Sequence, residues 1–332
     1  MNPDSTLPPP QRSAEWREFP GLFARGVSMG IAEVIPGVSG GTLALITGVY
    51  TRLVDAIRSL DASVVRAFLK LQVRDALGRV HWRFMLMLFS GQLGGILLCT
   101  RIIPLPTLLR SNPEPVLGLF FGLVLGSIFL LARDSGLPGW KGVLAYLAGG
   151  GLGWLVVTSV PNETPTAPWF IFLCGMLAIC AWVLPGISGS YTLLLLKKYD
   201  LIWGAVAHPS LDGILYILLP FGLGAFVGIT SFTRLLSWVL HRYEKATMMA
   251  MNGLLIASLW VIFPFQNPVY EKHGAKEKLV STTPVWPPPE RLSSLEVGLA
   301  LGLPVVGLAA VLLIDRFARR KRAEGQAPGA LN

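Results

Sequence analysis

Six long apolar runs constrain the fold of this chain more than any other feature of its sequence. They cover residues 84–103, 115–132, 143–160, 211–232, 246–263 and 295–314. A helix needs about 20 mainly apolar residues to cross a bilayer, and each run is close to that length. Only 14% of the residues are charged, whereas soluble domains carry about 25%. The sequence therefore predicts an all-α polytopic membrane protein with six clear spans.

Two further apolar segments are interrupted in the same way. AEVIPGVSGGTLALITGVY covers residues 32–50, and AWVLPGISGSYTLLLLKKY covers residues 181–199, which is an offset of 149. Proline and glycine both disfavour a helix interior, and both stand at the centre of each segment. A second similarity joins FGLVLGSI, from Phe121, to NGLLIASL, from Asn252. We interpret the chain as two repeats, each a re-entrant helical hairpin followed by three transmembrane helices.

The basic residues predict how these repeats lie in the membrane. If each hairpin returns to the side that it entered from, most of the 28 Lys and Arg residues fall on one side, including the Arg-rich stretch 52–83. Loops rich in Lys and Arg are cytoplasmic in multi-spanning proteins, so both termini are predicted to be cytoplasmic. Lys197 and Lys198 fall on the outer side and do not fit this pattern. Three spans separate the two hairpins, and the second repeat is therefore predicted to be inverted.

The predicted organisation has four parts. Residues 1–18 form a disordered cytoplasmic lead, which is polar and proline-rich and has no apolar core of a signal peptide. Repeat 1 covers 19–160, with its hairpin at 21–57, and repeat 2 covers 168–315, with its hairpin at 168–198. A basic cytoplasmic tail covers 316–332. The outer loop 265–294, which contains PVWPPPE, is expected to be irregular.

Cysteine usage and net charge exclude several classes of protein. The three cysteines, Cys99, Cys174 and Cys180, lie in apolar runs without metal-binding spacing, so we expect neither a disulfide framework nor a metal site. No cofactor is expected. The net charge of +9 is explained by membrane topology, and no nucleic-acid partner is expected. The partners that remain are the bilayer and a membrane-borne substrate, with a homo-oligomer left open.

The two breaks suggest a binding site for an anion. A second short helix is predicted to begin near Ser39 in one hairpin and near Ser188 in the other. The first helical N–H groups have no partner within a helix, and unsatisfied groups in hydrocarbon cost several kcal/mol each. Helix N-termini favour phosphate or carboxylate. The predicted backbone donors are Gly40, Gly41 and Thr42 in the first hairpin, and Gly189, Ser190 and Tyr191 in the second.

Glu33 is the one acidic residue of the first interrupted segment, and the equivalent position of the second segment holds Trp182. Acidic residues within a membrane usually face a cavity or a partner. We expect Glu33 to couple transport to a proton or to orient the substrate. The alternative is that its carboxyl caps nearby backbone donors. Arg25 lies about 12 Å further back along a helix and could contact either an anion or the headgroup region.

The interrupted segments resemble a known family. GIAEVIPGVSGGTLALITGVY and LPGISGSYTLLLLKKY are similar to the paired signatures of the bacterial polyprenyl-phosphate transporters. This resemblance implies a translocase in the bacterial cytoplasmic membrane that returns undecaprenyl phosphate from the outer to the inner leaflet. Where the family pattern has glycine, this chain has Lys197. From the resemblance and the donors above, the candidate substrate-binding residues are Arg25, Glu33, Pro36, Gly37, Ser39, Gly40, Gly41, Thr42, Pro185, Gly186, Ser188, Gly189, Ser190 and Tyr191.

Three alternative functions remain open at this stage. A transporter of a small soluble anion would use the same donors. An undecaprenyl-pyrophosphate phosphatase also has inverted repeats, but its pattern carries an Arg within the Pro-Gly-x-Ser motif and paired glutamates. Here those positions hold Gly40 or Gly189, and Glu33 stands alone. A scaffolding membrane protein is the third alternative. We therefore predict a transporter and not an enzyme.

Overall fold

The computed structural model of the chain describes residues 16–34, 39–60, 62–103, 105, 108, 111–136, 139–159, 164–273, 276–287 and 295–326. The chain is mainly helical, as predicted. In chain order the helices are α1 (Phe19–Glu33), α2 (Gly40–Ile46), α3 (Tyr50–Arg58), α4 (Ala62–Leu69), α5 (Val73–Arg79), α6 (Trp82–Ile102), α7 (Pro113–Ser135), α8 (Trp140–Thr158), α9 (Pro168–Val183), α10 (Gly189–Leu195), α11 (Tyr199–Ala207), α12 (Leu211–Arg242), α13 (Glu244–Ser258) and α14 (Leu295–Gln326). Strands β1 (Gln266–His273) and β2 (Lys276–Pro284) lie between α13 and α14.

Five of the described helices are long and apolar enough to cross a membrane. They are α6, α7, α8, α12 and the part of α14 that ends at Arg316. Large apolar side chains such as Leu147, Leu155 and Leu223 are exposed on their surfaces, as expected where a helix faces lipid. Five of the six predicted spans therefore correspond to a helix of spanning length.

The sixth predicted span, 246–263, is shorter in the structure. Helix α13 ends at Ser258 after 15 residues, which is about 22 Å, whereas the hydrocarbon core is about 30 Å thick. Pro264 disfavours a helical conformation at the residue before it. The side-chain amide of Gln266 then donates to three carbonyl oxygens beyond the helix end, the shortest contact being 2.9 Å to Trp260. The helix thus ends early, and the carbonyl oxygens that follow it accept hydrogen bonds from Gln266.

The segment that the sequence predicted to be an irregular outer loop contains a pair of strands. Within 265–294, strands β1 and β2 form an antiparallel pair from Gln266 opposite Pro284 to His273 opposite Lys276. The pairing is irregular at Val269 and Tyr270, which marks a β-bulge. The expectation of an irregular loop was wrong because local pairing between two strands was not visible in the composition of this segment.

The two interrupted segments fold alike. Helices α1, α2 and α3 are matched by α9, α10 and α11, each about 149 residues later. The turns between the short helices also correspond, since Gly48 N donates to Leu45 O at 3.1 Å and Lys197 N donates to Leu194 O at 3.0 Å. Both turns use the left-handed region, with φ of 71° at Gly48 and 50° at Lys197. Glycine adopts this conformation without the steric cost that a side chain brings.

Lys198, which did not fit the charge pattern, is buried. Only 4% of the residue is exposed, and its Nζ donates to the carbonyl oxygen of Thr164 at 2.8 Å. The hydroxyl of Thr164 in turn donates to Leu196 O. Lys198 therefore connects the turn between α10 and α11 to the segment before α9. Its position is explained by this contact rather than by charge topology.

Glycines set the packing of the helices in equivalent pairs. Helix α1 packs against α6, and α9 packs against α12 in the same manner. A Cβ atom on Gly91 would overlap the carbonyl of Phe23, and one on Gly224 would overlap the carbonyl of Phe172. Close backbone approach through small residues is the usual basis of helix association in membranes. Each entering arm is thereby fixed to the first span of its own repeat.

The remaining spans pair across the two repeats. Helix α7 packs against α14, and α8 packs against α13. A Cβ on Gly122 would overlap the carbonyl of Pro304, and one on Gly149 would overlap that of Ala250. By contrast, a Cβ on Gly151 would meet no atom within 4 Å. Val124 of α7 and Leu255 of α13 are buried in one cluster with Ala32, next to the first break.

Candidate functional site

Each hairpin ends its first helix before a short second helix begins, and a serine marks the start of that helix. Ser39 precedes α2 with φ −106° and ψ 136°, and Ser188 precedes α10 with φ −103° and ψ 132°. This extended conformation is typical of a residue that caps a helix N-terminus. A second short helix therefore begins after each serine, as the sequence predicted.

The donors of the first hairpin are already used within the protein. Gly41 N donates to Ser39 Oγ at 3.1 Å, and Thr42 N donates to Ser39 O at 3.0 Å. Gly40 N donates to Glu33 Oε1, also at 3.1 Å. The carboxyl of Glu33 thus caps α2, which is the alternative role that the sequence left open for it. All three predicted donors have partners in this conformation.

Two side chains of the first repeat donate hydrogen bonds to carbonyl oxygens at the C-terminal end of α9. Tyr50 donates its hydroxyl to Val183 O at 3.0 Å, and Ser39 donates to Leu184 O at 3.5 Å. Such terminal carbonyls have no intrahelical donor. In return, Gly186 N donates to the hydroxyl oxygen of Thr42 at 3.1 Å. The two interrupted segments are therefore connected through their breaks.

Glu33 and Trp182 join the two hairpins directly. The indole Nε1 of Trp182 donates to Glu33 Oε1 at 3.0 Å, so this oxygen accepts from both Trp182 and Gly40. An indole N–H in an apolar environment needs such an acceptor. Trp182 is a site residue that sequence analysis did not select. The available signal was its position, since it is the repeat counterpart of Glu33.

The second hairpin keeps its donors available. Ser188 Oγ does not cap α10 and lies instead 2.8 Å from Ser190 Oγ. In the described part of the chain, no acceptor is placed against the N–H groups of Gly189, Ser190 and Tyr191. Ser190 is exposed, whereas Ser188 and Gly189 are buried. Two hydroxyl groups and three backbone donors therefore stand together at the second break.

The asymmetry between the hairpins has a simple cause. In the first hairpin, the carboxyl of Glu33 reaches forward to cap the next helix. The second hairpin has Trp182 at that position, and its indole is a donor that points to Glu33. The second short helix therefore has no side-chain cap.

The other candidate residues are placed less centrally. Arg25 is half-buried on α1, two helical turns before Glu33, and its carbonyl accepts from Ser28 Oγ at 2.7 Å. Pro185 and Gly186 are buried. Pro36 and Gly37 lie outside the described residues. The structure thus brings Glu33, Ser39, Gly40, Gly41 and Thr42 together with residues 182–186. Residues 188–191 follow directly in the chain and form the start of α10.

Among the described residues, no group of three or more His, Cys, Asp or Glu side chains could hold a metal ion. The donor chemistry of the second break consists of hydroxyl and backbone N–H groups. These groups hydrogen-bond oxyanions well, and hydrogen bonds to a charged acceptor are roughly twice as strong as neutral ones.

Comparison with known proteins agrees with this picture. Residues 29–279 match the model of a family described as VCA0040-like, undecaprenyl phosphate translocase-like. The chain belongs to this family. The matched region contains both breaks, Glu33 and Trp182, and it ends within the β-hairpin.

Two known proteins are similar to the chain over most of their length. The chain is 34% identical over 245 residues to a polyprenyl-phosphate transporter of Vibrio cholerae, which covers 74% of this chain and 78% of the relative. It is 27% identical over 258 residues to a polyprenyl-phosphate transporter of Staphylococcus aureus, covering 72% and 84%. No solved structure matches the chain.

Proposed function

We propose that this protein is a translocase of polyprenyl phosphate in the bacterial cytoplasmic membrane, and that it recycles undecaprenyl phosphate from the outer to the inner leaflet. The names of two relatives that cover most of this chain support the substrate class. One structural observation carries the proposal. At the second break, the hydroxyls of Ser188 and Ser190 lie beside three backbone N–H groups for which the described part of the chain offers no acceptor, within an otherwise apolar segment.

The phosphate headgroup is proposed to bind at this second break. Its oxygens would accept from Ser188, Ser190 and the N–H groups of Gly189 and Tyr191. Charge-assisted hydrogen bonds would then replace the hydration that the headgroup loses on entering the membrane. The polyprenyl tail would stay in the bilayer, where the exposed apolar surfaces of the spanning helices meet lipid. The candidate residues of the first hairpin would shape the opposite side of the site.

The two repeats are proposed to be inverted, with both termini cytoplasmic. The equivalent packing of α1 on α6 and of α9 on α12 supports a two-fold relation between the halves. Inverted repeats whose broken helices meet near the midplane are common in secondary transporters. Cysteine labelling of the segments 59–80 and 161–168 from each side of the membrane tests the orientation. Labelling of both segments from the same side would contradict it.

Glu33 is proposed to exchange a proton during transport. A phosphate monoester carries between one and two negative charges near neutral pH, so an ionised carboxylate next to it would be repelled. Desolvation and a neighbouring anion both favour the neutral acid. Protonation would also weaken the bonds that Glu33 accepts from Gly40 and Trp182. The contact between the hairpins would thereby respond to the protonation state.

Binding measurements with three ligands test the proposed substrate class. Purified protein in detergent is titrated with polyprenyl phosphate, with the uncharged polyprenol and with inorganic phosphate. We expect polyprenyl phosphate to bind most tightly, because only this ligand has both the anionic headgroup and the apolar tail. Equal binding of inorganic phosphate would indicate a transporter of a small anion. Release of phosphate from a polyprenyl diphosphate would indicate a phosphatase.

A further inference from the structure

Four polar side chains connect α3 of the first repeat to α12 of the second. Ser237 donates its hydroxyl to Asp55 Oδ1 at 2.7 Å, and Arg58 Nη1 donates to Ser237 Oγ at 3.3 Å. His241 Nε2 lies 3.7 Å from Asp55 Oδ2. His241 Nδ1 is 2.8 Å from the carbonyl of Ser237, and because a carbonyl only accepts, Nδ1 carries a proton. We call Asp55, Arg58, Ser237 and His241 the latch.

An apolar layer lies next to the latch. Leu53 and Ile57 of α3 and Leu236 and Leu240 of α12 are at most 6% exposed and belong to one core cluster. That cluster also includes Val183, the last residue of α9. The latch and this layer together seal α3 against the neighbouring repeat.

Within the described residues, helix α11, which is the counterpart of α3, lacks this seal. At the offset of 149, Asp55 corresponds to Gly204 and Arg58 to Ala207, neither of which has a polar side chain. A Cβ on Gly204 would meet no atom within 4 Å. Ile57 is 3% exposed, whereas its counterpart Val206 is 49% exposed.

The helix packing shows the same difference. In the described part of the chain, α3 packs against α12, but no comparable packing joins the counterparts α11 and α6. By the equivalent packing of Gly91 and Gly224, Leu236 corresponds to Ile103, which lies just beyond the end of α6. Leu236 is 6% exposed, whereas Ile103 is 44% exposed. The two halves therefore have the same fold. Among the described residues, however, α3 packs against the other repeat, whereas its counterpart α11 does not pack in a comparable way.

We propose that the latch is the gate on the side of the Arg-rich segment 52–83, and that the structure shows the conformation in which this gate is closed. The inference rests on the proposed transport function, because a carrier has to open each side in turn. On the proposed topology this closed side is cytoplasmic. The site at Ser188 and Ser190 then faces the outer leaflet, and release to the inner leaflet requires that Asp55 and Ser237 separate.

Thiol labelling of a buried reporter tests the gate without any substrate. In a variant whose native cysteines are replaced, Leu236→Cys is exposed to a charged maleimide on the side of the Arg-rich segment. With the latch intact, labelling is expected to be slow. Asp55→Ala and Ser237→Ala each remove a charge-assisted hydrogen bond, and labelling is expected to be roughly 10- to 100-fold faster. Two separate variants guard against one that does not fold.

Arg52→Gln is the matched control. Arg52 is also on α3, and it pairs with Glu18 at 2.7 Å and lies over the ring of Phe84. None of these contacts reaches the second repeat, so this variant should leave the labelling rate unchanged. Unchanged labelling in both latch variants would overturn the proposal. An equal increase in Arg52→Gln would also overturn it, since that result would indicate general loosening of α3.

Cross-linking provides a second, functional arm. Arg58→Cys and His241→Cys are combined and joined by a short bifunctional maleimide with a cleavable linker. We expect the cross-link to stop movement of polyprenyl phosphate and cleavage of the linker to restore it. Transport that continues with the latch cross-linked would contradict the gate. If the parent protein transports no lipid phosphate while the labelling results hold, the proposed substrate is wrong and the gate stands.

Discussion

Trp182 donates its indole N–H to Glu33 Oε1 across 3.0 Å, and the two residues are counterparts in the internal repeat, 149 residues apart. A contact between repeat counterparts is expected close to the axis of the proposed two-fold relation between the halves. The pair is chemically unequal, because one member is a donor and the other an acceptor that also caps α2. Among the described residues, the N–H groups at the second break have no acceptor, and we regard this inequality between the hairpins as the origin of the proposed binding site.

Removal of the indole donor should weaken the connection between the hairpins. Trp182→Phe keeps an aromatic ring but loses the hydrogen bond, which contributes roughly 1.5–3 kcal/mol when the acceptor is charged. Unfolding in detergent should show a loss of this order. A double-mutant cycle with Glu33→Ala, which removes the acceptor, separates this bond from packing. Strictly additive losses in the cycle would mean that Trp182 does not act through Glu33.

Glu33→Gln should abolish the pH dependence of transport. The amide keeps an oxygen that accepts from Gly40 and Trp182, but it cannot exchange a proton. We expect the variant to bind polyprenyl phosphate and to transport it at a rate that varies little across a pH series. If the variant shows the same pH profile as the parent, Glu33 serves only to cap α2.

The two serines that precede the short helices should differ in their effects. Ser188→Ala removes a hydroxyl that is not used as a helix cap, and headgroup affinity should fall about 10- to 100-fold. Ser39→Ala removes the cap of Gly41 N and should lower stability by about 0.5–2 kcal/mol. Binding titrations and unfolding experiments on both variants separate these outcomes. A larger loss of affinity in Ser39→Ala would move the site to the first break.

Two glycines on α8 provide a matched test of helix packing. Gly149→Ala places a methyl group against the carbonyl of Ala250, and overpacking of this kind costs about 1–3 kcal/mol. Gly151→Ala is on the same helix, and its methyl group would meet no atom within 4 Å. Its effect should be within about 0.5 kcal/mol. Equal destabilisation of the two variants in thermal unfolding would contradict the packing of α8 on α13.

The sequence predicted the helical membrane fold and the positions of both breaks well. Length, apolar composition and the Pro-Gly-x-Ser-Gly pattern are local properties, and α1 to α3 and α9 to α11 follow them closely. The glycine expected at position 197 is also understood, since Lys197 adopts a left-handed conformation like its counterpart Gly48. The early end of α13 was not predicted, because the sequence analysis gave no weight to Pro264 or to Gln266, whose amide donates to carbonyls beyond the helix end.

The details of the site could not be predicted in the same way. Gly40 N donates to Glu33, and the hydroxyl of Tyr50 donates to Val183 O. These contacts depend on where the two hairpins meet in space. The latch between Asp55 and Ser237 joins residues 182 positions apart. Such contacts follow from packing between the repeats, which periodicity and composition do not encode.

The most direct test of the account is movement of the lipid between leaflets. Purified protein is reconstituted into liposomes that contain polyprenyl phosphate in both leaflets, and a soluble phosphatase is added outside. In protein-free liposomes, only the outer half of the substrate should be hydrolysed quickly. With the protein present, we predict that the inner half also becomes accessible, and that the Ser188→Ala, Ser190→Ala double variant slows this second phase. Protection of the inner half at the rate seen in protein-free liposomes would contradict the account.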